Sequence, residues 1–366
     1  MANPTPHGGQ VFSIARFLDR RPSEIWDFSA NINPLGPPDS VKAAVRSAID
    51  TLQHYPDSTH HESKEILAHQ LTVDPGSLLI GNGAAEIIDM VLRYRRPRRV
   101  IVLDPAFGEY RAAAHRNRIS VVGIPLGADS FEVPWDDIVS TAETGDLVVW
   151  NNPHNPSGRC FGRQTYEAPL RLLSDRGVFL LIDESFLDFV PAQEEVSALS
   201  FLQSPQSLVT VVRSLTKYYA IPGLRFGFAV ADPHWVQQVE TVRDGWSVNQ
   251  LAQAAAIAGL MDTEFKQRSQ TWLHQTQRQV AALWQNSAQY VRYPTQVNFF
   301  LLRWAREETS RQLSQALQSQ AILVRRADDF VGLGPAYWRI AIRGADDNEH
   351  LYQATQALLH HLGMQS

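Results

Sequence analysis

The densest set of reactive side chains is Ser214-Leu215-Thr216-Lys217, which follows an apolar, β-branched run at residues 208–212, with Arg225 eight residues beyond the lysine. A lysine at the mouth of a buried site loses hydration, which lowers its pKa and frees a neutral amine to attack a carbonyl and form a Schiff base. Ser214 and Arg225 add a hydroxyl and a guanidinium, a pair suited to a phosphate. The plainer reading of Lys217 is a surface lysine at a strand end.

Three further strand ends carry groups that would complete such a site. Residues 147–150 run into Asn151-Asn152-Pro153-His154-Asn155-Pro156-Ser157-Gly158, where two prolines and a glycine fix a loop presenting Asn155. Residues 178–182 end on Asp183-Glu184, followed by Phe186 and Asp188. A carboxylate at a buried strand end is costly unless it meets a cation. A protonated pyridine nitrogen is such a cation, and an Asp facing it keeps the ring an electron sink, which points to pyridoxal 5′-phosphate (PLP). The alternative for Asp183 is a helix N-cap. The fourth element, Gly81-Asn82-Gly83-Ala84-Ala85-Glu86, precedes a helical segment at 87–94, and small residues there let backbone amides approach a phosphate. Alone it reads equally as a tight turn. All four elements lie at strand-to-loop ends, where open α/β sheets bind ligands.

The positioning frame is legible as seven short apolar runs, at residues 78–80, 100–103, 121–124, 147–150, 178–182, 208–212 and 226–230, alternating with helical segments. That pattern predicts an α/β fold with a mainly parallel seven-stranded sheet. Long helices are expected at 250–261 and 264–285. Strands at 297–302, 322–325 and 337–342, interleaved with helices at 307–319 and 346–362, predict a smaller α+β unit that the N-terminal segment joins. The expected division is an N-terminal arm at 1–40 belonging to the small domain, a large PLP-binding domain at 41–285 and a C-terminal small domain at 286–366. The Pro-rich stretch 31–40 reads as an extended arm packed on the body.

At 366 residues the chain suits a large domain plus a smaller one. With 33 Lys and Arg against 38 Asp and Glu, the charge of -5 gives no electrostatic reason to expect nucleic acid. The arginines at 93, 95, 96, 98 and 99 read as solvating a helix-to-strand turn. One cysteine, Cys160, excludes an internal disulfide and a multi-cysteine metal site, so no metal is expected. Neither a basic apolar leader nor a bilayer-length apolar run occurs, and a cytoplasmic protein without membrane contact is expected.

With these residues in place, the chain resembles the fold-type I PLP enzymes of the aspartate aminotransferase superfamily over nearly its whole length. Ser-x-x-Lys…Arg, Asn-Pro-x-Asn-Pro-x-Gly and Asp-Glu occur in that family's order. The resemblance implies that Lys217 binds the cofactor covalently and that Asp183 pairs with its pyridinium. It further implies that Asn155 bonds the ring hydroxyl, that Phe107 stacks on the ring, and that Ser214, Arg225 and the backbone at Gly83, Ala84 and Ala85 hold the phosphate. Tyr55 matches a tyrosine that reaches the phosphate from a neighbouring subunit, implying a homodimer with shared active sites; its other reading is a packed loop aromatic. Phe186 departs from the pattern, because many aminotransferases place a tyrosine there that donates to the ring oxygen.

Within the superfamily the chain is similar to two groups, the L-threonine O-3-phosphate decarboxylases of cobalamin biosynthesis and the histidinol-phosphate aminotransferases. His7-Gly8-Gly9 and the run from Asp27 to Pro37, with Ile32 where the aminotransferases usually carry an acidic residue, favour the decarboxylases. The resemblance implies a small phosphorylated amino-acid substrate and a lyase. Arg339, helped by Asn155, would hold its carboxylate, and Arg325 would meet its phosphate together with His7, Gly8 and Asn31. Arg326 is the weaker candidate, since adjacent strand residues face opposite ways. Surface salt bridges are the plain alternative for both arginines, and an unanchored terminus is the plain alternative for His7.

Overall fold

A computed structural model describes residues 8–203 and 207–363. The first strand, β1 (Trp26–Phe28), belongs to the second of two sheets. The first sheet is built from β2 (Leu78–Gly81), β3 (Arg99–Asp104), β4 (Ser120–Pro125), β5 (Leu147–Asn151), β6 (Phe179–Asp183), β7 (Val209–Ser214) and β8 (Gly227–Val230). Its order is β2-β8-β7-β6-β5-β3-β4, the seven-stranded α/β sheet expected from the apolar runs. Every pairing is parallel except those of β8, which runs antiparallel to β2 and β7.

The central strands are apolar on both faces because helices cover both. Val100, Val102, Leu147, Val149 and Leu181 pack on one side with Ile87, Val91 and Tyr110, while Ile101, Leu103, Val148, Leu180 and Ile182 pack on the other with Ile138, Leu170 and Leu173. This is the period-two division of side chains along a strand.

The second sheet adds β9 (Tyr290–Arg292), β10 (Phe299–Trp304), β11 (Ile322–Arg326) and β12 (Tyr337–Ala341), in the order β1-β11-β12-β10-β9. β1 pairs parallel to β11, so the N-terminal segment enters this sheet. Its core gathers Phe28, Trp284, Phe300, Trp304, Leu313, Trp338 and Leu351. β11 and β12 pair antiparallel with Arg325 directly opposite Arg339, which sets both side chains on one face.

Register also aligns the active edge of the first sheet. Asn151 lies opposite Asp183, Asp183 opposite Val212, and Ser214 opposite Gly227, so the loops after β5, β6 and β7 leave from the same end. The expectation of an extended arm through residue 40 needs correction. A helix starts at Asp39 and runs to Ala48, with Asp39 in its first turn and Arg46 in its last, each sign of charge at the end of the helix dipole that favours it. Within the arginine cluster, Arg98 and Arg99 bond the buried Asp146 at 3.1 and 2.9 Å, and Arg95 lies 4.5 Å over the Trp235 ring. No helix among the described residues is long and apolar enough to cross a membrane.

Leu147 is fully buried in β5, remote from the strand's loop end. Leu147→Ala is expected to destabilise the fold by about 2–5 kcal/mol, seen as a lower urea midpoint in circular dichroism.

Candidate active site

β7 delivers Ser214 into the short helix Leu215–Tyr218, which turns Lys217 into a cavity of about 650 Å³. Lys217 Nζ donates to Ser214 Oγ at 3.3 Å, and Ser214 Oγ shares a 2.8 Å bond with Thr216 Oγ1. Burial pulls the Lys217 pKa down to about 8; Arg225 and Arg339 push the same way, and Asp183 opposes them. Near neutrality about a tenth of this amine is therefore uncharged and nucleophilic, far more than for an ordinary lysine, as Schiff-base chemistry requires.

Asp183 ends β6 on the same cavity. Its Oδ1 accepts from the Ser185 amide at 2.9 Å and its Oδ2 from the Tyr110 hydroxyl at 2.7 Å. The short 3-10 turn that follows is capped by Phe186, so Asp183 is no helix N-cap. Tyr110 is a member of the site that the sequence reading did not single out. Burial, and then the adjacent Asp183 charge, hold its hydroxyl well above the usual tyrosine pKa, so it stays a donor. The available signal was spacing, because Tyr110 follows Phe107 by three residues at a helix start, and the two rings meet edge-on at 5.8 Å.

At the other end, helix Ala84–Arg95 points its first amides, which have no intrahelical acceptors, into the cavity at Ala84 and Ala85. Gly83 precedes it at φ 81°, and a Cβ there would collide with the Arg225 guanidinium. Arg225 itself adopts φ 64°, uncommon for a residue with a side chain. A cation packed against a helix N-terminus forms a ready anion cradle.

A third region faces the substrate side. Arg339 donates to Asn155 Oδ1 at 2.9 Å and to the Ser29 carbonyl at 2.8 Å. Burial, then Arg325, lowers its pKa, with Asp329 and Asp27 opposing; a guanidinium remains charged there. Because Asn155 Oδ1 is engaged, only its Nδ2 hydrogens remain to serve a ring oxygen. Asn31 lines the cavity and is buried, with neither side-chain polar atom bonded among the described residues. Gly8 also lines it, and the Gly9 amide is tied to Ser29 Oγ, itself bonded to Asp27. His7 lies outside the described residues. Arg325 lines the cavity; Arg326 does not, and pairs with Asp328.

Tyr55 is 79% exposed and stacks on Trp246 at 4.7 Å, away from this chain's own cavity. Phe186 packs on Phe299, and its ring stands 5.5 Å from Lys217 Nζ. His154 ties two loops of the site together. Its Nε2 meets the Pro105 carbonyl at 2.8 Å and its Nδ1 meets Ser157 Oγ at 2.7 Å. Since a carbonyl only accepts, Nε2 carries the proton and Nδ1 accepts from Ser157. Burial, reinforced by Arg159, pulls its pKa down to about 4, so the ring is neutral. Among the described residues, no cluster of three or more His, Cys, Asp or Glu could hold a metal.

The donors fit PLP. An amine of lowered pKa, a carboxylate aimed from a strand end, and a guanidinium against helix amides occupy one cavity, and a Cβ on Gly83 would push that guanidinium aside. The description "Aminotransferase class I and II" fits residues 23–358, and the chain belongs to that family of PLP-dependent fold-type I enzymes. It is 35% identical over 358 residues to the threonine-phosphate decarboxylase of Salmonella typhimurium, covering 96% of each chain. Among solved structures, the histidinol-phosphate aminotransferase of Clostridium acetobutylicum superposes with TM-score 0.85 at 26% identity, covering 92% of this chain and 100% of that one. The L-threonine-O-3-phosphate decarboxylase of Porphyromonas gingivalis superposes with TM-score 0.79 at 27% identity and the same coverage.

Two outcomes follow for cofactor capture. The apoprotein should attach PLP covalently at a rate that rises with pH and levels off above about pH 8, where Lys217 is neutral, rather than above pH 10; stopped-flow absorbance reads it. Gly83→Ala forces a side chain into a glycine-only conformation and displaces Arg225, so PLP affinity should fall about tenfold or more by equilibrium titration.

Proposed function

We propose that this chain decarboxylates L-threonine O-3-phosphate to (R)-1-aminopropan-2-ol phosphate, a step of cobalamin biosynthesis. The observation that carries the reading is the pair of arginines from adjacent strands, Arg325 and Arg339, facing the cavity that contains Lys217. O-phosphothreonine bears a carboxylate and a phosphate on a short frame, and two fixed guanidinium groups complement it. The likeness to the Salmonella decarboxylase over almost the whole chain supports the same reading.

Bound PLP supplies an electron sink for the pair left on Cα when the bond to the carboxylate breaks. Lys217, Asp183, Asn155, Ser214, Arg225, Phe107 and the amides of Ala84 and Ala85 would hold it. Arg339 and Asn155 orient the carboxylate end of the substrate, while Arg325, Gly8 and Asn31 take the phosphate. As carbon dioxide leaves, a proton must reach Cα, and Lys217 Nζ, which lines the same cavity, would be the group placed to carry it. Phe186 contributes no hydroxyl to the ring oxygen. The proposal extends to a cytoplasmic homodimer in which Tyr55 serves the partner's site, and to a small domain formed by residues 1–40 and 286–366 around the PLP-binding part at 41–285.

A histidinol-phosphate aminotransferase is the second reading, favoured by the close superposition on the Clostridium enzyme. The two separate in one assay. PLP-loaded protein given L-threonine O-3-phosphate without any 2-oxo acid should release carbon dioxide over many turnovers, and Lys217→Ala should abolish it. No carbon dioxide, with amino transfer from histidinol phosphate to 2-oxoglutarate, would replace the decarboxylase by the aminotransferase.

A further inference from the structure

Arg325 and Arg339 stand directly opposite each other on β11 and β12, an arrangement that places like charges side by side at one cavity. Such cross-strand pairs are unfavourable unless something neutralises them. Arg339 has neutral acceptors in Asn155 and the Ser29 carbonyl. Arg325 has a carboxylate: its Nη2 reaches both oxygens of Asp329 at 2.6 Å, while its Nη1 donates to the Arg326 carbonyl at 2.8 Å. Asp329 lines the cavity as Arg325 does.

The partners differ in freedom. The Arg325 side chain is 13% exposed and lies on a strand, whereas Asp329 is 34% exposed and sits on the turn that follows. Rotating Asp329 away breaks no backbone bond, because the turn is closed by Phe330 N to Ala327 O. A neighbouring pair, Arg326 with Asp328, has the same chemistry but does not line the cavity.

We propose that Asp329 is a specificity-determining residue that occupies the phosphate-binding face of Arg325 and yields it only to a phosphate dianion. This rests on the reading of Arg325 as the phosphate-binding arginine. A fork-like grip on a phosphate needs Nη2, which Asp329 holds. A phosphomonoester, with close to two negative charges and three oxygens, displaces a carboxylate that carries one. The neutral hydroxyl of an unphosphorylated amino acid does not. Asp329 offsets the charge of Arg325, and ligands without the dianion meet Arg325 already engaged.

The test uses the PLP-loaded enzyme and inorganic phosphate, followed by isothermal titration calorimetry. Removing the competing charge in Asp329→Asn, with Asp329→Ala as a second variant, should tighten phosphate binding about three- to tenfold. Asp328→Asn should leave it unchanged. Binding that is unchanged or weaker in both Asp329 variants, an equal gain in Asp328→Asn, or no phosphate binding in any of the proteins overturns the proposal. Carbon dioxide release from L-threonine O-3-phosphate by the unaltered enzyme is measured alongside. Its absence would sink the decarboxylase reading while leaving the phosphate comparison to decide the role of Asp329.

Discussion

A carboxylate buried at the end of a strand has to be solvated by the protein, and the site is arranged around how Asp183 is solvated. Its two oxygens are met by one amide and one hydroxyl, Ser185 N and Tyr110 Oη. Two neutral donors stabilise the charge without cancelling it. The negative potential that remains opposes the burial-driven fall of the Lys217 pKa and would suit a pyridinium. Had an arginine bonded Asp183 instead, the charge would have been spent within the protein. The adjacent Glu184 shows that alternative, since it is buried and its oxygens are taken by Arg213, the Ser197 hydroxyl and the Ala198 amide.

The positive side follows the same economy of charge. Lys217, Arg225, Arg325 and Arg339 share one cavity with Asp183, Asp27, Asp329 and Glu109. Each cation is fixed by a different element: a helical turn, a left-handed backbone position and two neighbouring strands. Rigid placement of that kind lowers the entropy that binding must overcome, because the donors are aimed before a ligand arrives.

Much of this was legible in the sequence where one physical demand acted on consecutive residues. Strands covered on both faces must be almost continuously apolar, so six strands of the first sheet could be read as buried runs, while β4, at the exposed edge, was legible only through Val121, Val122 and Ile124; Asp183 and Ser214 end their strands, and Asn155 and Lys217 lie just past theirs, on one edge of the sheet. β1 was not legible, because the three residues Trp26, Asp27 and Phe28 are too few to show a period, and their partner strand lies almost three hundred residues away. Tyr110 and Asp183 meet across 73 positions, and nothing local in either segment announces the bond. Asp329 was hidden for another reason: an Asp in a surface turn is ordinary, and only the cross-strand register of Arg325 gives it significance. The helix at Asp39 was missed because prolines and a glycine dominate the stretch before it, although a proline followed by an acidic residue is also how helices begin.

Arg339 grows from the second sheet, yet its two hydrogen bonds end on Asn155, in a loop of the first sheet, and on the carbonyl of Ser29, just past β1. One guanidinium thus sits where three stretches of chain converge, and the same nitrogens that would greet a ligand also fasten those stretches together. Recognition and architectural cohesion are therefore inseparable at this position. A substitution there is pleiotropic by construction, and an inactive variant would report a slackened junction as readily as a lost contact.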